Sequence, residues 1–321
     1  MDKKDLRIVF FGTPEFAVES LKALVEGGYN VVGVVTVPDK PAGRGRHLLE
    51  SDVKKYAVAQ GLHVMQPVKL KDEAFVEELR SLDAQLFIVI AFRMLPEVVW
   101  GMPPMGTFNL HASLLPKYRG AAPINWAVIN GDKTTGVTTF FLKHEIDTGD
   151  VIEQRSIEIG RKDNVGVVYD RLMTLGAGMV PNTVDNIVAG NVKPIPQDEM
   201  LTAGEQPTPA PKIFKETCRI DWTRSGEEVY NLVRGLSPYP AAWTTIVDEN
   251  GNESVIKVYE TGEPEPAEGV TPGAIKADAK TMRIACSDAW VEVKSLQLAG
   301  KKRMDVDAFL RGYSLEGKSI K

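Results

Sequence analysis

The chain is poor in the residues that would build a disulfide framework or a metal centre. Its 321 residues include two cysteines, Cys218 and Cys286, and four histidines, His47, His63, His111 and His144. Two cysteines so far apart in sequence are expected to stay as free thiols in a reducing compartment. The histidines show no metal-ligand spacing, so no metal is expected. Long apolar runs are missing as well. The longest, Leu86 to Phe92, is far too short to cross a bilayer, and the opening "MDKKDLRIVF" has acidic residues and no signal-like apolar core. A cytoplasmic protein without membrane association is expected. A basic excess is also lacking: from residue 208 onward 16 Lys and Arg face 17 Asp and Glu. A polyanion could therefore be held only by local clusters, and "DKPAGRGRH" (Asp39 to His47) and "AGKKRM" (Ala299 to Met304) are the two candidates. Finally, "FFGTPEFA" has one glycine where a dinucleotide fingerprint needs three, which argues against a dehydrogenase.

What is present is a clear pattern. A length of 321 residues suggests two domains. "LRIVFF", "NVVGVVTV", "LHVMQP", "AQLFIVIAF" and "GTFNLHA" read as strands. Helical segments fall between them, the first capped by Thr13-Pro14 and closed by Gly27-Gly28. Continuous apolar strands alternating with helices predict an α/β domain with an open, doubly wound parallel sheet over residues 1–192. Such sheets bind ligands beyond the carboxyl ends of their strands. Residues 193–211 hold Pro194, Pro196, Pro207, Pro209 and Pro211 without an apolar period, the composition of a linker. From 212 to 321 the pieces "SVIKVYE", "GAIKA", "TMRIAC" and "WVEVKSLQL", with one helix from Gly226 to Arg234, predict a smaller, mainly β domain, a barrel or sandwich.

Within "FNLHASLLPKYRGAAPINWAV" (Phe108 to Val128), Asn109 and His111 stand two residues apart on a strand and share one face. An amide there can donate to an oxyanion and an imidazole can take a proton, a pairing suited to attack of an amine on a carbonyl. A carboxylate to orient the imidazole is offered by "HEIDTGD" (His144 to Asp150), which follows the strand "GVTTFFL". Spacing does not choose between Asp147 and Asp150. Taken alone, these residues fit a backbone-satisfied strand pair and ordinary turn acids at least as well.

The combination of "FNLHASLLPKYRGAAPINWAV" with "IDTGD" resembles the signature of the folate-dependent formyltransferases. "VVTVPDKPAGRGRH", "RIDW", "LSPYPAAW" and "LQLAGKKRM" extend the resemblance from Leu6 to about residue 311, and are similar to the branch whose acceptor is the methionyl group of initiator tRNA. That resemblance implies a Rossmann-like catalytic domain followed by an OB-like barrel that binds tRNA, 10-formyltetrahydrofolate as co-substrate, and a monomer. It implies catalysis by Asn109, His111 and Asp147, with Asp150 left as a loop residue. It implies folate contacts at Ser113, Leu114, Leu115 and Pro116, and a pterin pocket around Ala91 to Leu95, where Arg93 departs from the usual pattern. It places Arg44 in a loop that reaches toward the tRNA acceptor end, and the basic cluster Lys301, Lys302 and Arg303 is expected to contact tRNA as well. Formylation of a small phosphorylated amine or a sugar-nucleotide amine is the alternative. It leaves the second domain and its "GKKR" segment without a use.

Overall fold

The computed structural model describes residues 3–42 and 47–321. The chain forms two compact units. One contains the chain up to Gly120, then Gly136–Ile157 and Asp170–Pro209; the other contains Ala121–Thr135, Glu158–Tyr169 and Ala210–Lys321.

The first unit is built on a seven-stranded sheet of β1 (Arg7–Gly12), β2 (Asn30–Val35), β3 (Val64–Met65), β4 (Leu86–Ile90), β5 (Thr107–His111), β6 (Thr134–Phe141) and β7 (Val151–Glu158), in the order β7-β6-β5-β4-β1-β2-β3. Helices α1 (Glu15–Glu26), α2 (Asp52–Ala59) and α3 (Glu73–Ser81) alternate with the early strands, while α4 (Pro123–Ile129), which belongs to the second unit, and α5 (Val165–Val188) follow β5 and β7. The strands from β3 to β5 run parallel. β6 is antiparallel to β5, so the sheet is parallel-dominated rather than wholly parallel. Every side chain of β4 and nearly all of β1 are buried, which is why these strands read as unbroken apolar runs. At the turn after β1 the sequence points to Thr13 as the cap of α1, but Pro14 occupies that position in extended backbone and no side chain caps the helix.

The sequence pattern does not announce α5. It carries Gly166, Gly176 and Gly178 and has Pro181 within it, all poor helix formers. Packing explains one of them: a Cβ on Gly176 would come within 2.6 Å of the Leu110 side chain. The small residue lets α5 lie directly on β5, the strand that carries Asn109 and His111.

The second unit centres on an eight-stranded sheet. Its main strands are β8 (Ala242–Val247), β9 (Glu253–Thr261), β10 (Ile275–Ala277), β11 (Met282–Ala285), β12 (Ala289–Leu298), β13 (Met304–Asp305) and β14 (Ser319–Ile320). The path β10-β11-β12-β9-β8-β14 is antiparallel throughout, and β13 folds back on β12. A Cβ on Gly273, just before β10, would lie 3.6 Å from the Ile320 carbonyl in β14, so the two ends of the path almost meet and the sheet is barrel-like. Helix α6 (Gly226–Leu236) starts at a capping box formed by Ser225 and Glu228. α4 packs on α6, where the Asn125 amide donates to the Gly235 carbonyl at 2.8 Å. Trp222, Val233, Ile256, Val258 and Ile284 form the core together with both cysteines, which are free thiols. Burial pushes the Cys286 thiol up to about 12.

Candidate active site

β5 ends at His111, and its last residues meet the loops that follow β5 and β6. Asn109 and His111 share a face, as the strand period requires. Asn109 is half-buried, and none of the described residues hydrogen-bonds its side-chain amide. His111 is buried, and Phe140 of β6 lies edge-on to its ring. Its Nε2 lies 2.8 Å from the carbonyl oxygen of Tyr118. Because a carbonyl can only accept, Nε2 carries the proton and Nδ1 is left with its lone pair. Nδ1 faces the Asp147 carboxylate at 3.8 Å, an ion-pair distance once the ring is protonated but longer than a hydrogen bond.

Asp147 is held from several sides. Its Oδ2 accepts the Gly120 N–H at 2.9 Å, and its backbone sits in the left-handed region with φ +54°. Two residues on, a Cβ at Gly149 would fall 1.6 Å from the Phe141 carbonyl oxygen, so only glycine lets the loop turn this close to the end of β6. Asp150 plays a different part: its carboxylate pairs with Lys143 at 2.6 Å. Asp150, Lys143, His144, Thr148, Arg119 and Gln197 are among the residues lining a cleft of about 470 Å³.

The segment 113–116 is pinned rather than free. Ser113 and Leu115 are fully buried, Pro116 is buried and Leu114 is half-buried. Thr138 Oγ1 donates to the Ser113 carbonyl at 2.6 Å and accepts the Leu115 N–H at 3.1 Å. The Gln154 amide donates to the Leu115 carbonyl and to Thr138 Oγ1 at 2.7 and 2.9 Å. Leu115 packs against Phe140 and Val151.

In the Ala91 to Leu95 loop, Ala91 is exposed with φ +47° and Leu95 is buried. Arg93 reaches back to the carbonyls of Pro67 and Val68, which ties the loop after β4 to the one after β3. Partial burial holds its guanidinium below the usual arginine range. Lys301, Lys302 and Arg303 are exposed in the turn between β12 and β13, where Gly300 has φ +76°. Arg303 is the anchored one, donating to Ser295 Oγ at 2.8 Å and lying 4.5 Å from the centre of the Tyr259 ring. Arg44 lies outside the described residues.

The profile of the family described as "Formyl transferase" matches residues 6–184, and that of "Formyl transferase, C-terminal domain" matches residues 212–314. The methionyl-tRNA formyltransferase of Bacteroides fragilis is 60% identical over 316 residues, 98% of this chain and 97% of that one. That of Phocaeicola vulgatus is 62% identical over 315 residues, again 98% of this chain and 97% of its own length. The chain belongs to the formyl transferase family. Its structural neighbours share the fold at much lower identity. The sugar 3N-formyl transferase WlaRD has a TM-score of 0.65 at 17% identity, covering 92% of this chain and 99% of that one. HypX from Aquifex aeolicus, in complex with tetrahydrofolic acid, has a TM-score of 0.61 at 20% identity, covering 97% of this chain and 48% of that one.

Within this formyl transferase fold, Tyr118, Thr138, Gln154 and Gln197 support the site without being legible in the sequence. Tyr118 acts through its own carbonyl, and the other three through hydrogen bonds to backbone groups of residues distant in sequence; neither leaves a periodic signal. Gln197 lies in the proline-rich stretch whose composition is that of a linker, yet it is 2% exposed. Among the described residues no group of three or more His, Cys, Asp or Glu could hold a metal ion, and no helix is long and apolar enough to cross a membrane.

Proposed function

We propose that Asn109, His111 and Asp147 carry out the formyl transfer. The protein moves a formyl group from 10-formyltetrahydrofolate to the amino group of methionyl-tRNA, giving the N-formylmethionyl-tRNA used in translation initiation. Relatives of that activity match both domains at about 60% identity, and formylation of a sugar-nucleotide or other small amine is not favoured. The observation that carries the assignment is an unengaged Asn109 amide on the same strand face as His111, whose Nδ1 faces Asp147 at 3.8 Å.

The amine attacks the formyl carbon, and the carbonyl oxygen becomes an oxyanion for which the Asn109 amide is the donor. The amine's proton passes to His111 Nδ1, where the charge that develops meets the Asp147 carboxylate. That proton then goes to the folate nitrogen as its bond to the formyl carbon breaks. Tyr118 serves through its carbonyl by keeping the ring in the tautomer that leaves Nδ1 basic. Segment 113–116, held by Thr138 and Gln154, contributes the folate contacts at Ser113, Leu114, Leu115 and Pro116. The Ala91 to Leu95 loop borders the pterin.

Catalysis belongs to residues 1–192 and tRNA binding to residues 212–321, with 193–211 between them. Arg44 is assigned to binding of the tRNA acceptor end, and Lys301, Lys302 and Arg303 to binding of tRNA phosphates. The protein works as a cytoplasmic monomer. Incubation with 10-formyltetrahydrofolate and methionyl initiator tRNA is expected to yield formylmethionine, and free methionine in place of the charged tRNA is expected to yield none. A higher kcat/KM on a sugar-nucleotide amine than on methionyl-tRNA would overturn the reading.

A further inference from the structure

Gln197 uses all the hydrogen-bonding groups that its position lets it bring together. Its Nε2 donates to the Asp147 carbonyl at 2.9 Å and to the Gly149 carbonyl at 2.8 Å, and its Oε1 accepts Arg119 Nε at 2.9 Å. It is 2% exposed, so water does not supply these bonds. Arg119 stands between Tyr118, whose carbonyl holds His111 Nε2, and Gly120, whose N–H holds the Asp147 carboxylate. A closed circuit results: His111 to Tyr118, through Arg119 to Gln197, on to the backbone of Asp147, and across 3.8 Å back to His111. Only an amide fits this place. It must offer two donors to two carbonyls and one acceptor to a guanidinium; a carboxylate has no donor, and an apolar side chain satisfies none of the three.

We propose that Gln197 is a positioning residue for formyl transfer, fixing the backbone of the Asp147 loop so that the carboxylate stays opposite His111 Nδ1. This rests on the reading of Asp147 given above. The loop is open to such control because Asp147 is a non-glycine residue in the left-handed region, a conformation that surrounding contacts must maintain. Gln197 touches neither the imidazole nor the carboxylate. Its effect is therefore on turnover rather than on binding.

The test is a double-mutant cycle of Gln197→Leu with Asp147→Asn, with Gln197→Glu as a second probe of the same bonds. Gln197→Leu is expected to lower kcat about tenfold, while the Kd for tetrahydrofolate and the KM for methionyl-tRNA stay within about twofold. In the Asp147→Asn background the same change is expected to cost less than about twofold, because the carboxylate it positions is gone. Arg119→Met, which releases Gln197 from its other end, is expected to show the same non-additivity and serves if Gln197→Leu does not fold. Equal losses in both backgrounds would mean a general loosening of the fold and would overturn the proposal. Full kcat in Gln197→Leu, beside a strong loss in Asp147→Asn, would overturn it while leaving the Asp147 reading intact. Full kcat in Asp147→Asn would remove that reading and this inference together.

Discussion

Two places in the molecule hold their polar and charged side chains in opposite ways. At the end of β5 and in the loops beyond it, His111, Ser113, Leu115 and Gln197 are buried, and Thr138, Gln154 and Gly120 supply bonds to named atoms. In the turn between β12 and β13 the side chains of Lys301 and Lys302 stand exposed, while Arg303 is tied to Ser295 and the Lys301 carbonyl accepts from the Gln297 amide. Proton transfer and oxyanion stabilisation require atoms held to within a fraction of an ångström, and a supporting shell of buried hydrogen bonds provides that. Attraction to a phosphate backbone acts through charge and tolerates side-chain freedom. Buried hydrogen bonds are thus concentrated around the residues proposed for catalysis, while the side chains proposed to meet phosphates stand on an exposed turn.

The strongest way to break this comparison is to remove the chemistry while leaving its supports in place. Asn109→Ala is expected to lower kcat by roughly 10²-fold or more with little change in folate affinity. Asp147→Asn is expected to remove most activity. Asp150→Asn, which loses only an ion pair with the exposed Lys143, is expected to change it little. Steady-state kinetics on the three variants decide the matter, and the reverse ranking of the two aspartates would place the wrong carboxylate in the site. Gly149→Ala attacks the support instead. A Cβ 1.6 Å from a carbonyl oxygen cannot be accommodated without moving the Asp147 loop, so a loss of about 3 kcal/mol in stability is expected together with loss of turnover. Chemical denaturation and kinetics on one preparation would show both, and wild-type values would mean that the loop is far less constrained than its packing indicates.

On the other side of the comparison, Lys301→Gln with Lys302→Gln should leave the chemistry alone and weaken tRNA binding. A plot of log K against log salt is expected to become shallower by about 0.7 to 0.9 for each phosphate that is no longer neutralised. An unchanged slope would return these lysines to ordinary surface. The smallest effect is expected at Glu227, whose carboxyl is held below its ordinary value of 4.5 by the guanidinium of Arg161, itself also paired with Glu263. A depressed carboxyl stabilises the fold above its unfolded pKa, and that contribution is lost as pH falls through the folded value. Glu227→Gln is thus expected to cost about 0.5 kcal/mol near pH 7, the scale of a partly exposed ion pair. The difference should fade well below pH 4.5. An undiminished difference in acid would show that the pair is not its source.

How much of this could be read from the sequence follows from the same physics. β1 and β4 announce themselves because strands buried on both faces must be apolar throughout. Asn109 and His111 are legible because a two-residue period puts them on one face. The Tyr118 carbonyl that sets the imidazole tautomer is not, because it depends on a chain reversal in which Tyr118 takes φ +61°. Helix α5 is hidden by glycines and a proline that propensity disfavours, of which packing against Leu110 accounts for Gly176. Gln197 is hidden by neighbouring prolines, and its three partners stand 50, 48 and 78 positions away.

The sharing of the chain between the two units also governs the order in which the protein can be completed. Helix α4 leaves the ribosome early, but α6, on which it packs, is made only after β6, β7 and α5. At typical rates of synthesis the interval is on the order of ten seconds. During that time Asn125 and Ile129 have no Gly235 to meet. A gene fragment ending at Pro209 would carry this orphaned helix permanently, and one beginning at Ala210 would lack it. Neither fragment contains both helices of this contact.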